Sequence, residues 1–426
     1  MFAPGPRSGL TPRFAAPPPA LPDRVEPDLD ITEEAGIVAG LGPAPRVELL
    51  AEEDAHVARG APVARLRDAP EICLVAPMAA RIGRVSLLRG HRLSEIVLFA
   101  DAGGDALRHD PSGARTEAGL RGLMQRAGLW PSLRRRPFGG MPGTAERPAA
   151  IFVMATDTRP FAPDPRLALD GREAAVARGL HALAELTDGP VFLCRAPGPG
   201  PFTAQAAAPR LREVICGRRH PQGAVGLRAH ALCPAGLDRP VWDIHAEDAA
   251  ALGTLLDTGQ MPPTRLVAVC GPALRTARLV RTQPGADLRG LTRRIAQPGA
   301  HELLSGTPLD GHPAHWLSPR DRQVTALPRA AAPGAPHWLL AALTRSARPA
   351  PVIPTAALEQ SFGGALPAAA FVRALGAGDD EGAMRLGLLS LLEEDVALAD
   401  YVLGGTAGLA GQLRAMLERI RTEHAA

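Results

Sequence analysis

The chain is predicted to be a multidomain protein that mixes α/β and α+β architecture. Three observations predict it. Residues 31 to 100 are short apolar runs split by Gly and Pro, with little helical period. The middle of the chain alternates strand, helix and strand at the spacing of a parallel sheet. The end of the chain carries apolar residues at helical spacing. At 426 residues there is room for about three domains. Composition places a Pro-rich arm over 1–30, a β-domain over 31–106, an α/β domain over 107–262 and a β-rich module over 263–330. A linker and helical C-terminal domain fill 331–426.

In order along the chain, the arm lacks a 7- to 15-residue apolar block, so it is not read as a secretory signal, and its prolines predict a free, extended arm. Strands are predicted over 62–66, 72–75, 82–88 and 96–99. The run CLVAPMAARIGRVSLLRG (73–90) looks like the hairpin of a biotin- or lipoate-carrying domain, with Met78, Ala79 and Ala80 at its tip. Residues 115 to 136 then take a helical period, with Leu120, Leu123, Ala127 and Trp130 on one face, and Pro131 interrupts the pattern. Strands over 151–154 and 191–194 bracket a helix near 172–186, and 213–216 adds a further strand. A helix over 247–256 ends at Gly259. Strands over 266–270, 278–282 and 324–327 make the β-rich module. The Pro/Ala stretch 328–354 reads as a linker with one short helix near Trp338. Leu409, Leu413, Met416, Leu417 and Ile420 form one face of a final helix.

Composition excludes several chemistries. There is no lysine, so all 47 basic residues are arginine. A lysine Schiff base, lysine-borne lipoate or biotin, and a P-loop lysine are therefore ruled out. A net charge of +3 and 4% aromatic content speak against a nucleic-acid partner. Cys73, Cys194, Cys216, Cys233 and Cys270 are dispersed, which fits reduced, buried thiols and not an iron–sulfur ligand set. No stretch reaches about 18 apolar residues, so no membrane-spanning helix is expected.

Candidate sites are few. Gly198-Pro199-Gly200-Pro201 follows a strand, but the prolines lack the N–H groups that cradle phosphate. His220 and His230 in one loop region, and His312 and His315 in another, lack a completing ligand set for a metal. Glu393-Glu394-Asp395 fits the acidic start of a helix better than a catalytic pair. Arg134, Arg135 and Arg136, followed by Pro137 and Phe138, form the densest charge run. It suits a quinone head group, a lipid phosphate or an acidic partner surface, with a solvated helix end as the plain alternative. No catalytic residue is assigned.

An ordered series of stretches resembles the NqrA family, subunits of the Na⁺-translocating NADH:quinone reductase. Gly128-Leu129-Trp130 with Leu133-Arg134-Arg135-Arg136-Pro137-Phe138 resembles its GLW…LRTRPF. Ile151-Phe152-Val153 with Asp157-Thr158-Arg159-Pro160 is similar to IFV…DTNP, and Cys194-Arg195-Ala196-Pro197-Gly198 to CKAPG. His220-Pro221 with Gly223 and Val225-Gly226 resembles HPAGLVG, and Val241-Trp242-Asp243-Ile244 resembles VWHI. Arg278 to Thr282, then Gly285 to Leu288, look like PRLVRT…GA, and Glu393 to Leu398 matches EEDLAL. The series spans about 120–405.

The resemblance implies a barrel-sandwich hybrid (biotinyl/lipoyl-like) N-terminal domain, a Rossmann-like α/β domain, a β-grasp (SLBB-like) module and a helical C-terminal tail. It implies a peripheral subunit, placed on the inner, cytoplasmic face of the bacterial cell membrane. That subunit would dock on an NqrB-like membrane subunit, with other subunits of the same complex as further partners. Ubiquinone is the implied ligand, and the surface candidates are Arg134, Arg135, Arg136, Phe138 and His220. This chain would bind no redox cofactor; NADH, flavins, iron–sulfur and ubiquinone would be used on other subunits. The tail departs from the family's EEDLALCTYVCPGK, since Ala399 and Leu403 replace both cysteines and Thr406 the lysine. That departure leaves a divergent scaffold for another membrane complex as the alternative.

Overall fold

A computed structural model describes residues 5–14, 19, 26–40, 42–198, 210–329, 353–405 and 407–425. The expected linker helix near Trp338, and residues 199–209, lie outside the described residues.

The N-terminal β region consists of two antiparallel sheets. One orders the strands Glu34–Val38, Arg92–Ala100, Ala80–Leu88 and His56–Val57. The other orders Val47–Leu49, Pro62–Leu66 and Cys73–Val75. Val47, Val63, Ile72, Ile82, Leu93, Ile96 and Leu98 are buried in the core of this region. Area removed from water by such side chains is worth about 25 cal/mol per Å², which makes this core the main stabilising term here.

The expected hairpin over 73–90 is not a hairpin. Its first strand pairs with Pro62–Leu66 and its second with His56–Val57 and Arg92–Ala100, so the two arms lie in different sheets. The backbone fixes this choice. Gly60 N–H donates to the Ala76 carbonyl and Ala76 N–H to that of Ala61, while Asp101 N–H donates to Ala79. Residues 76–79 are therefore a crossover. Met78 is buried and its sulfur lies 3.8 Å from Gln283 Nε2. The expected tip faces inward, where a carrier residue could not swing.

The α/β region has a five-stranded sheet ordered Leu211–Ile215, Val191–Arg195, Ile151–Ala155, Val241–His245 and Arg134–Arg136. The first four run parallel and the last is antiparallel at the edge. Ile151–Ala155 is buried throughout, as expected of a strand covered on both faces. The helices Glu173–Glu185 and Ala246–Thr258 pack tightly where Gly179 meets Gly253. A Cβ on either would fall 1.8 Å from a backbone carbonyl of the facing helix, so only glycine permits this approach. Gly259, with φ of 73°, caps the second helix in the left-handed conformation. The helical period expected over 115–136 breaks around Pro131, as the sequence suggests, but the arginines beyond it do not form a helix end. The helix is Glu117–Arg126, a short 3₁₀ turn follows over Trp130–Ser132, and the arginine run is a strand.

A six-stranded sheet follows, ordered Asp28–Leu29, Arg278–Thr282, Arg265–Cys270, Gln323–Pro328, His301–Ser305 and His312–Pro313. Its edge strand Asp28–Leu29 comes from the end of the predicted arm. The start of that arm is also anchored, where a free arm was expected: Leu10 N–H donates to His220 O at 2.8 Å, and Arg7 N–H to Gly363 O at 2.9 Å. The tail is a cluster of helices, among them Ala368–Ala377, Glu393–Val402 and Leu409–Ala425. The predicted apolar face of the last helix is buried, Leu409 to Ile420 included, against Phe371, Leu392 and Val396.

Candidate functional site

The arginine strand lies at the edge of the five-stranded sheet, and strand geometry sends alternate side chains to opposite faces. Arg136 pairs in register with Val241, and its side chain, 1% exposed, enters the seam between the sheet and the tail. Burying a cation without partners is prohibitive. Here the guanidinium is saturated. Nη1 donates to both oxygens of Asp243 at 3.1 and 3.2 Å, and Nε to the Ser390 carbonyl at 2.9 Å. Nη2 donates to Glu394 Oε1 at 3.1 Å and Asp395 Oδ2 at 3.3 Å. Arginine suits this role because its planar fork serves several oxygens at once; the three-donor point charge of lysine could not.

Neighbours extend the clamp. Arg320 Nη2 reaches the other side of Asp243 at 3.0 Å, Arg134 Nη1 bonds Glu394 at 2.9 Å, and Arg414 holds Glu393 and the Phe138 carbonyl. Four guanidinium groups thus meet Asp243, Glu393, Glu394 and Asp395. Burial pushes the Asp395 carboxyl up to about 6, with Arg136 opposing and Glu394 adding to the rise. Burial also works against the Glu394 charge, but Arg134 and Arg136 win and hold it at about 2. Asp395 accepts from Leu392 N–H at 2.9 Å and Gly226 N–H at 3.0 Å, so it fixes the start of its own helix and the start of another.

Arg135 points the other way. It pairs with Glu146 at 3.1 Å and lies 5.8 Å from the Phe138 ring centroid. Glu146 also accepts from the buried Trp242 indole at 2.6 Å, which stands edge-on to Trp130 with centroids 5.7 Å apart. Arg134, Arg135 and Phe138 remain partly exposed.

A second network ties the six-stranded sheet to the α/β region. Arg322 donates to Glu247 at 3.0 Å and Asp248 at 2.7 Å. Arg159 bridges Asp157 at 2.6 Å and Asp310 at 2.9 Å. His245 is the N-cap of Ala246–Thr258, its Nδ1 accepting from Glu247 N–H at 3.2 Å. Burial, with help from Arg322, pushes its pKa down to about 3, so the ring is neutral and free to accept.

Of the predicted site residues, the fold brings Arg134, Arg135, Arg136 and Phe138 into one place and leaves His220 in another. His220 is buried before the helix Val225–Leu232, with Nδ1 3.2 Å from Thr158 Oγ1, and burial lowers its pKa to about 4. His230 lies on that helix and not in a loop, beside Gly387. Glu393-Glu394-Asp395 does start a helix, and it also supplies three of the four carboxylates of the clamp. Sequence reasoning missed Asp243, Arg320 and Arg414. A signal for Asp243 existed: an acidic residue inside the apolar strand Val-Trp-Asp-Ile needs a buried cation. Among the described residues no group of three or more His, Cys, Asp or Glu side chains is placed to hold a metal ion. The five cysteines are free and buried.

Comparison with known proteins bears on what this arrangement serves. Residues 115–261 match the family model described as the NqrA second alpha/beta domain, and residues 266–315 the one described as the NQRA C-terminal domain. A relative from Alcanivorax borkumensis, named as the A-subunit of Na(+)-translocating NADH-quinone reductase, is 32% identical over 82% of this chain and 84% of its own length. The protein of the same name from Serratia proteamaculans is 31% identical over 89% and 91%, and that from Teredinibacter turnerae 33% over 70% and 72%. Among solved structures, a chain of an NAD+-reducing [NiFe]-hydrogenase aligns with a TM-score of 0.39 at 13% identity over 72% of this chain and 63% of that one, a likeness too loose to bear on function.

Proposed function

The chain belongs to the NqrA family of Na(+)-translocating NADH-quinone reductase subunits, and from that premise we propose that it is a peripheral subunit of such a complex. At the inner face of the membrane it docks on an NqrB-like membrane subunit, where it shapes the quinone-side surface. It carries no redox cofactor of its own; NADH, flavin, iron–sulfur and quinone chemistry belong to the other subunits. No helix among the described residues is long and apolar enough to cross a membrane, and the proposed attachment runs through partners.

One observation carries this reading. Three of the stretches that resemble the family, around Arg136, Asp243 and Glu394, lie far apart in sequence and converge on the same buried clamp. Such a clamp does no bond chemistry, since its charges are saturated by one another. It holds sheet, tail and β-rich module in one geometry, and that is what a docking subunit requires. On this reading Arg134, Arg135 and Phe138 form the rim that meets the partner or quinone, with Arg136 as their anchor. His220 anchors the N-terminal arm. The β region over 31–106 serves as a barrel-sandwich scaffold, and the module over 263–330 as a β-grasp of the SLBB type.

Affinity purification of the tagged protein from mildly solubilised membranes tests the proposal. Co-purification of an NqrB-like subunit is expected; recovery of the chain alone refutes it. The lost tail cysteines favour a second reading, a scaffold for another membrane complex. Ala399 is fully buried in the helical core, so an apolar residue there is a packing solution. Recovery with a different set of membrane subunits would select that reading.

A further inference from the structure

We propose that a cleft between the N-terminal arm, the loop before His220 and the helix Ala356–Ser361 is a binding site for a phosphate-bearing anion. The cleft has a volume of about 400 Å³ and is lined by Arg7, Ser8, Arg218, Arg219, Gln222 and Gln360. Its walls come from three distant parts of the chain, and hydrogen bonds fix them together. Gln222 Nε2 donates to the Arg7 carbonyl at 2.7 Å, and its Oε1 accepts from Arg219 N–H at 3.1 Å. Ser8 N–H donates to Gly363 O at 3.3 Å, and Arg228 Nη2 to the Pro6 carbonyl at 3.3 Å.

The charge of the cleft sets it apart. At the clamp every guanidinium has a carboxylate, but no carboxylate lines this cleft. Arg7, Arg218 and Arg219 take part in no ion pair among the described residues. Three cations around one opening raise the local concentration of anions and repel one another until an anion arrives. Guanidinium forks match the tetrahedral oxygens of phosphate bidentately. The Ser8 hydroxyl and the Gln360 amide add neutral donors at the same opening. A multiply charged phosphate group satisfies three forks better than a single carboxylate does. That group could belong to a soluble phosphate compound or to a lipid headgroup, and the chemistry of recognition is shared.

The test uses the full-length chain. Calorimetric titration with inorganic pyrophosphate is run beside co-sedimentation with phosphatidylcholine vesicles containing phosphatidic acid. The same measurements are made on the double variant Arg218→Gln/Arg219→Gln, on Arg7→Gln, and on Arg385→Gln as a remote control. Pyrophosphate binding that weakens at least tenfold in the double variant and less in Arg7→Gln, with the control unchanged, supports the site with a soluble ligand. Vesicle binding with the same variant pattern supports it with a lipid source. Binding in neither arm at millimolar ligand, or binding that survives both cleft variants, overturns the proposal. Because the three arginines are exposed, unchanged thermal melting is expected and separates loss of binding from loss of fold.

Discussion

The seam between the five-stranded sheet and the tail and the seam under the N-terminal β region are built from different chemistry. The first rests on saturated ion pairs around Arg136 and Asp243. The second rests mostly on neutral groups. Gln283 Nε2 donates to Thr32 Oγ1 at 2.6 Å and to the Thr32 carbonyl at 3.0 Å, and the Trp316 indole donates to Glu95 at 2.9 Å. Trp316 also lies over Gly36, where a Cβ would sit 2.3 Å from the ring, so the two surfaces meet only because the residue is glycine. A neutral seam loses less when one group is removed. A charged seam loses a great deal, because the abandoned carboxylates stay buried. The tail is therefore fixed to the sheet in a way that the N-terminal β region is not fixed to its neighbour.

The largest expected effect comes from breaking the charged seam. Arg136→Met leaves Asp395 without its cation and Asp243 with Arg320 alone, and should cost about 3–5 kcal/mol in chemical denaturation. Arg136→Lys restores charge but not the fork, and should recover only part of that loss. If Arg136→Met proved neutral, the seam would rest on apolar packing alone.

Acid should come next. His220 and His245 are held neutral with pKa values of about 4 and about 3. Their folded values lie below the unfolded one, so their contribution is present above about 6.5 and lost as pH falls toward about 4 for His220 and about 3 for His245. A tenfold change in proton affinity corresponds to about 1.4 kcal/mol. Protonating His245 also removes the Nδ1 acceptor that caps Ala246–Thr258 and sets a cation at the positive end of that helix. His245→Asn keeps a cap and removes the titration, so its melting temperature should depend less on pH between about 3 and 6.5. Asp395 acts with the opposite sign. Its raised pKa contributes stability below its unfolded value, and that is lost as pH rises through about 6.

Cutting the neutral seam should cost less. Gln283→Ala leaves Thr32 with fewer partners, an expected loss of about 1–3 kcal/mol with no pH dependence between 5 and 8, measured by urea unfolding. The smallest change is expected at the surface. Arg385 and Glu381 form an exposed pair one helical turn apart, and Arg385→Gln should shift stability by about 0.5 kcal/mol or less.

Much of this fold was legible in the sequence, for identifiable reasons. Ile151–Ala155 and Val191–Arg195 are apolar runs bounded by breakers, and Leu409 to Ile420 keep helical spacing, so local pattern sufficed. Local pattern failed where partners are distant. Residues 73–90 look like a hairpin, yet the pairing of each arm is decided by strands elsewhere. Three arginines after a helix look like a solvated helix end, and only Asp243 and the acidic run at 393–395 reveal why they form a strand. The candidate site was found as a charge run, but its buried centre was not, because ion-pair partners more than 100 residues apart leave no spacing to read.

We have proposed that this chain serves a sodium-translocating NADH:quinone reductase as a docking subunit. Sodium-dependent NADH:quinone activity in membranes from a strain lacking the gene tests it most directly. Activity should be lost, return with the wild-type chain, and fail to return with Arg136→Met. Activity unchanged by the deletion would contradict it.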